Sequence, residues 1–381
     1  MTEEKAPEAL KALRDQIDAI DHRVLELLSE RLRVVAQIAQ VKRKEGVQIR
    51  DFVRERRLLD DRRARAKELG IAVEPVESIY RQIMLASRDY QAALGAAAPL
   101  EVERKKIAII GGLGQMGQLL GRTFRELGHE VVLADLTTTP SPEEAAGSCD
   151  VVIISVPIAS TIAVIEAIGP RVRPDALLVD VTSVKQAPLD AMLRATRASV
   201  AGTHPMFGPG VHTLQGQRVV VCRGRGDAWC DWLKQNFEAR GLVVTEATAE
   251  DHDRGMALVQ VLTHFQTQVL GWALARMGVP LEQSLKFTSP AYLMELYVAA
   301  RHFGQDPLLY GPIEMQNPET PRVTAAFRRA ADELSDVLAS RDQARFTKMF
   351  DEVRAFFGDF TAEATEQSSF LIDRLIERTL G

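Results

Sequence analysis

The chain has 381 residues, 46% of them hydrophobic and 26% charged, with a formal net charge of −5, which predicts a folded protein of two or three domains and excludes a disordered chain or a single small module. No apolar run reaches the roughly 18 residues of a membrane span, and the start Met1-Thr2-Glu3-Glu4 is acidic where a secretion signal would be basic, so a cytoplasmic protein is expected. The net charge gives no sign of a nucleic-acid binder, and the three cysteines, Cys149, Cys222 and Cys230, contain no C-x-x-C pair, which argues against a disulfide framework and a structural zinc site.

Apolar residues recur at helical spacing from Leu10 to Val41, with no internal Gly or Pro, and predict one long amphipathic helix. Two more helices are predicted over about 52–69 and 76–94, separated by the breaker-rich stretch Gly70 to Pro75. Three helices, one of them over about thirty residues long, cannot cover their own apolar stripe and are expected to dimerise. Residues 1–95 carry 19 Lys+Arg against 17 Asp+Glu, so the cations to spare lie here. Arg31 and Lys42 share one face of the long helix, whereas Arg14 falls on another stripe, from which it would serve a partner's site in a dimer. Asp51, Arg54 and Glu55 begin the second helix, and Ser87 and Gln91 form an i, i+4 pair late in the third. Taken singly, each is an ordinary helix-surface residue.

The small residues and proline of Gly95-Ala96-Ala97-Ala98-Pro99 mark a linker, set at 95–104 between a helical domain (1–94) and an α/β region. Over 105–248, β-rich runs alternate with helical ones, near 106–110, 131–134, 151–156, 177–181, 199–201 and 219–222. That alternation predicts an α/β doubly wound, Rossmann-like parallel sheet. From 249 to 381 the pattern is helical, over about 251–277, 281–303 and 322–379.

After the first strand, Gly112, Gly114 and Gly117 form G-x-G-x-x-G, with Gln115 and Met116 inside it, and a helix comes next. In that context the motif predicts a dinucleotide site: the glycines allow a tight turn and close approach of a pyrophosphate, and the helix N-terminus offers N–H donors. Asp135 ends the second strand 18 residues after Gly117, where a carboxylate accepts from a ribose 2′-hydroxyl and repels a 2′-phosphate, favouring NAD over NADP. Ser155 and Pro157 follow the third strand; they line the cofactor, or Pro157 simply ends the strand.

Two segments, Asp180 to Lys185 and Gly202 to Pro209, follow later strands and are expected at the carboxyl edge of the sheet. An imidazole there can accept a proton from a substrate hydroxyl as a hydride leaves the same carbon, which nominates His204, with Ser183 to hold its tautomer. His252 and His264 are equally readable as helix-capping, core or substrate residues. Arg301 ends an apolar helix as a carboxylate clamp or a solvated cation.

Together these residues resemble a known family. Leu13-Arg14-Asp15-Gln16-Ile17-Asp18, Leu28-Ser29-Glu30-Arg31, Val41-Lys42, Arg50-Asp51-Phe52-Val53-Arg54-Glu55-Arg56 and Ser87 with Gln91 resemble the all-helical chorismate mutases. Gly111 to Gly117, Ser155-Val156-Pro157-Ile158, Ser183-Val184-Lys185 and His204-Pro205-Met206-Phe207-Gly208-Pro209 resemble prephenate dehydrogenase. In this order they resemble the bifunctional chorismate mutase/prephenate dehydrogenases of tyrosine biosynthesis. The resemblance implies that Arg14 of a partner chain, Arg31, Lys42 and Arg54 hold chorismate, with Asp51, Glu55, Ser87 and Gln91 completing the polar lining. It implies that His204, oriented by Ser183, bonds the C4 hydroxyl of prephenate, that Arg301 binds a substrate carboxylate, and that His264 and Lys185 lie near the site. It further implies NAD as cofactor, a homodimer formed through a helical C-terminal domain, and a tyrosine feedback ligand. The alternative is a monofunctional dehydrogenase with a non-catalytic helical N-terminus, and the preference between prephenate and its amino analogue arogenate stays open.

Overall fold

The computed structural model describes residues 8–45, 51–96, 102–211 and 213–379. Three helices come first: α1 (Glu8–Lys44), α2 (Phe52–Glu68) and α3 (Val73–Ala96). The stop expected at Gly46 and the linker residues 97–101 lie outside the described residues. α3 begins earlier than its apolar pattern indicates, because Pro75 sits in the first turn, where a missing N–H breaks no helical bond. Both α1 and α2 pack on α3 and bury Val35, Leu59, Ala66 and Met84. Leu13, Ile17, Ile20 and Leu27 of the α1 stripe nevertheless stay 57–62% exposed, far more apolar surface than the three helices can cover.

A seven-stranded sheet comes next: β1 (Lys106–Ile110), β2 (Glu130–Ala134), β3 (Val151–Ile154), β4 (Leu177–Asp180), β5 (Ser199–Pro205), β6 (Arg218–Arg225) and β7 (Val243–Glu246), in spatial order β2-β1-β3-β4-β5-β6-β7. The crossovers are α4 (Gln115–Glu126), α5 (Pro142–Ser148), α6 (Ile158–Ile168), α7 (Gln186–Ala195) and, between β6 and β7, α8 (Asp227–Ala239). Successive strand residues face opposite sides, and both sides are buried. Ala108, Ile110, Val152, Ile154 and Leu178 fill one layer; Ile107, Ile109, Val151, Ile153, Leu177 and Val179 fill the other. This two-sided burial is why the strands read as continuous apolar runs. The chain moves outward from β1 to β2 and then returns to β3, so the carboxyl ends of β1 and β3 flank the crevice where this architecture binds ligands.

Three details correct the expected sheet. β6 runs antiparallel to β5, because the described residues of 206–217 hold no helix that could carry the chain back across the sheet for a parallel return. β7 is a strand the periodicity does not announce. β5 continues beyond Ala201 to Pro205, so His204 lies inside the strand rather than after it.

The C-terminal helices are α9 (Ala249–Met256), a π-helical stretch (Ala257–Leu262), α10 (Thr263–Arg276), α11 (Leu281–Leu285), α12 (Pro290–Phe303), α13 (Pro307–Met315), α14 (Thr320–Ser340), α15 (Gln343–Phe357) and α16 (Phe360–Thr379). The three long helices expected here are thus subdivided, the last of them at Arg341 and Gly358, both at positive φ. Phe287, Met315 and Phe356 stand more than four-fifths exposed. Among the described residues no helix is long and apolar enough to cross a membrane.

Candidate functional site

The glycine-rich loop closes over the end of β2. Gly111 and Gly112 both donate to the Ala134 carbonyl, at 2.9 and 3.1 Å, and the Leu113 N–H reaches Asp135 Oδ2 at 3.1 Å. Gly111 makes the turn, at φ +80°, and a Cβ there would lie 2.4 Å from the Ser155 carbonyl oxygen. A Cβ on Gly112 would lie 2.8 Å from Leu133 Cα, and one on Gly117 2.5 Å from the Gly111 carbonyl oxygen. The turn therefore belongs to Gly111, not to the first glycine of the motif, which instead allows close packing on β2. Gly114 caps α4 without a side chain, leaving the first-turn N–H groups of Gln115, Met116 and Gly117 directed out of the loop. Ser155 is half-buried and Pro157 exposed where β3 passes into α6, against the same loop. This cradle fits a dinucleotide: it is free of Cβ atoms where a pyrophosphate must approach, and the Asp135 carboxylate stands at the β2 end.

His204, 3% exposed, projects from β5 toward α9. Its Nδ1 is 2.9 Å from His252 Nε2, and His252 Nδ1 is 2.8 Å from Asp253 Oδ1. Asp253 has a second task. It accepts the Lys185 and Gln186 N–H groups at the start of α7, at 2.8 and 3.0 Å. Burial pushes the Asp253 carboxyl up, yet the bonds from His252 and these two N–H groups outweigh it and hold it below its ordinary value. A carboxylate takes only the donor of His252 Nδ1, so His252 Nε2 must accept from His204 Nδ1–H, and His204 Nε2 is left with its lone pair. Burial first, then the neighbouring His252 and Lys185, hold His204 well below its usual pKa, so the imidazole is neutral. Gln260, on the π-helical stretch, places its amide nitrogen 3.5 Å from that lone pair.

One expectation is corrected here. The tautomer of His204 is set by His252 and Asp253; Ser183, half-buried after β4, makes no hydrogen bond to the ring. Lys185, expected near the site, is fully buried in an ion pair with Asp180 and donates to the Thr203 carbonyl at 2.7 Å, so it ties β4 to β5 directly beneath His204. Its long apolar stem makes this burial possible. Arg301 ends α12, exposed and with no side-chain partner among the described residues. His264, on α10, is half-buried with Nδ1 3.6 Å from Glu314 Oε1.

In the helical unit, Arg31 of α1 donates to the Ser87 hydroxyl of α3. Ser87 back-bonds the Ile83 carbonyl at 2.6 Å, and Gln91 Nε2 donates to the Ser87 carbonyl at 3.3 Å, leaving Gln91 Oε1 buried and unpartnered. Glu55 of α2 pairs with Arg88 beside them. Arg31, Glu55, Ser87 and Gln91 are thus brought together by the packing of α1 and α2 on α3. Asp51 caps α2 through the Arg54 N–H at 2.9 Å, with both side chains exposed, and Lys42 is half-buried near the end of α1. Arg14 is exposed, seventeen residues or about 25 Å from Arg31 along the same helix. Arg62, absent from the expected set, stands 5.2 Å over the Tyr80 ring. Its charge, after burial, contributes to holding Arg31 below its ordinary value.

Asp253, Gln260 and Arg62 are the residues missed by sequence, and the parts played by His252 and Gly111 were not assigned there. Only Gly111 carried a local signal, a glycine at the strand end; the others meet their partners across 48 or more positions or between helices. Among the described residues no group of three or more His, Cys, Asp or Glu side chains is arranged to hold a metal ion.

Fold and site define an enzyme of two parts, a nucleotide-binding dehydrogenase with a buried neutral histidine and a cation-lined three-helix unit. Residues 13–92 match the type II chorismate mutases, 124–246 the nucleotide-binding domain of prephenate dehydrogenase and 248–352 its dimerisation domain. The chain is 34% identical to the T-protein of Haemophilus influenzae over 96% of its own length and 97% of that protein's. It is 36% identical to the T-protein of Enterobacter agglomerans over 95% of its length and 97% of that protein's. The fold is also that of prephenate dehydrogenase from Aquifex aeolicus, solved with hydroxyphenyl propionate and NAD+, at a TM-score of 0.56 and 18% identity over 67% of this chain and 98% of that one. The chain belongs to the T-proteins, the bifunctional chorismate mutase/prephenate dehydrogenases, and carries both activities.

Proposed function

We propose that His204 is the hydrogen-bond acceptor for the ring hydroxyl of prephenate, held ready by His252 and Asp253. The observation that carries this is the one-way chain from Asp253 Oδ1 through His252 to His204, which leaves a neutral Nε2 whose lone pair faces only the Gln260 amide nitrogen, 3.5 Å away. NAD is the cofactor, held by Gly112, Gly114, the first turn of α4 (Gln115, Met116, Gly117) and Asp135, with Ser155 and Pro157 alongside; when bound it supplies a hydride acceptor. His204 takes the hydrogen bond of the C4 hydroxyl, so electron density builds on that oxygen as hydride leaves C4. Carbon dioxide then departs from C1, the ring becomes aromatic, and the phenolic proton stays with oxygen in 4-hydroxyphenylpyruvate. Ser183 borders the same pocket, and Arg301 supplies charge for a substrate carboxylate.

The mutase reaction is pericyclic and needs no acid or nucleophile. It needs a dianion folded into its reactive conformer and positive charge at the breaking C–O bond. Arg31, Lys42 and Arg54, with Arg14 from a partner chain, supply that charge, and Asp51, Glu55, Ser87 and Gln91 line the pocket. The exposed stripe of α1 and the exposed apolar residues of the C-terminal helices support a homodimer. Three free cysteines fit a cytoplasmic location. Tyrosine as feedback ligand rests on the family resemblance, and its test is inhibition of NADH formation by added tyrosine.

The deciding experiment gives the purified protein chorismate with and without NAD+, for wild type, His204→Asn and Arg31→Ala. His204→Asn should abolish NADH formation and spare chorismate loss, and Arg31→Ala should do the reverse when prephenate is supplied to the dehydrogenase. Full dehydrogenase turnover in His204→Asn would remove His204 from the reaction.

A further inference from the structure

A second polar cluster continues from the His204 end of the site. Gln260, His264 and Gln268 are four residues apart and form one half-buried stripe along the π-helical stretch and α10. At its far end Gln268 Nε2 donates to Glu314 Oε1 at 2.7 Å and meets His302 Nε2 at 3.1 Å, which occupies both amide hydrogens. The Tyr310 ring packs against both His264 and His302, with centroids at 4.9 and 4.4 Å, and the two imidazoles lie 5.3 Å apart. His264 Nδ1 lies 3.6 Å from Glu314 Oε1, too far to bond, and is buried without a partner; Gln260 Oε1 is buried and unpartnered as well. The Glu314 side chain is 15% exposed, and among the described residues its titratable neighbours are His264 and His302, with no Lys or Arg paired to it.

A carboxylate this buried, without a Lys or Arg, beside the orphaned His264 Nδ1 and in line with the orphaned Gln260 Oε1 one turn away, lacks a donor-rich cation. An α-ammonium group brings three N–H donors and a positive charge, whereas an α-keto group offers Glu314 only acceptors. The spacing fits. His264 is one turn, about 6 Å, beyond Gln260, and a ring hydroxyl and the α-carbon of a cyclohexadienyl substrate are roughly 6–7 Å apart on bonds of about 1.5 Å. We propose that Glu314 is a specificity-determining residue of the dehydrogenase: with His264 and Gln260 it receives the tail of the substrate and admits an α-amino acid tail, as in arogenate, alongside the α-keto tail of prephenate. The assignment rests on His204 marking the ring-hydroxyl end of the groove.

The full-length protein is assayed with NAD+ and either arogenate or prephenate, as wild type, Glu314→Gln and Glu314→Asp, with chorismate loss on the same chain reporting that each variant is folded. Wild type should oxidise arogenate. Glu314→Gln should shift the ratio of kcat/KM values at least tenfold toward prephenate, mainly through the KM for arogenate, and Glu314→Asp should keep most of the wild-type ratio. Should the variants misfold, competition on wild type decides: L-tyrosine should displace prephenate better than 4-hydroxyphenylpyruvate, which differs only in the tail. The inference is overturned by a wild-type enzyme that ignores arogenate, by equal losses on both substrates in Glu314→Gln, or by tyrosine competing no better than the keto acid. An unshifted ratio with an inactive His204→Asn defeats this inference alone, whereas an active His204→Asn defeats the assignment of the groove beneath it.

Discussion

Replacing His252 with Phe keeps a ring of similar size and removes the acceptor for His204 Nδ1–H. That N–H sits on a side chain only 3% exposed, and an unsatisfied buried donor costs about 1–3 kcal/mol. The ring escapes the penalty by moving its proton to Nε2 or by rotating, and either change removes the lone pair offered to the substrate hydroxyl. A bias of that size, at about 1.4 kcal/mol per tenfold, disfavours the productive tautomer by roughly 5- to 150-fold. The kcat for NADH formation from prephenate should fall by that factor, with the KM for NAD+ and the chorismate mutase rate unchanged. His252→Gln, whose Oε1 can still accept from Nδ1–H, should retain more activity than His252→Phe. A folded His252→Phe enzyme with kcat within twofold of wild type would refute the tautomer argument.

Asp135→Ala removes the carboxylate at the end of β2; a lost charge-assisted contact of about 1.5–3 kcal/mol should raise the KM for NAD+ about ten- to a hundredfold and narrow the preference over NADP+, as steady-state kinetics with both cofactors would read. Lys185→Met leaves Asp180 as a buried charge without its partner and should cost about 3–5 kcal/mol of stability in denaturant unfolding; a loss confined to substrate KM in a fully stable variant would return Lys185 to the binding site. Stability should also depend on pH through the histidines. Burial holds His204, His129 and His302 below their ordinary pKa in the folded chain, so the unfolded chain binds more protons below about pH 6.5 and stability is lost as pH falls through that value. Thermal unfolding between pH 8 and 5 should show this decline, and a midpoint that holds level or rises on acidification would contradict it.

The residue pattern by itself determined what depends on local geometry. The 3.6-residue period of α1, the strand–glycine–helix succession around Gly111–Gly117 and the acid at Asp135 each follow from backbone sterics or helix geometry within a few tens of residues, and each was legible. The polar positions Arg31, Ser87 and Gln91 were legible through family resemblance, since taken singly they are ordinary surface residues. Tertiary packing decided the rest. The direction of β6 followed from the lack of a helix among the described residues of 206–217, and the burial of Lys185 from the acid that ends β4. The tautomer of His204 came from a histidine and an aspartate some fifty residues away, its neutral state chiefly from burial, and the Gln268–His302–Glu314 cluster from three separate helices. Hydrogen bonds between elements carry no period and no spacing rule, so the chemistry that depends on them becomes visible only when the elements are packed.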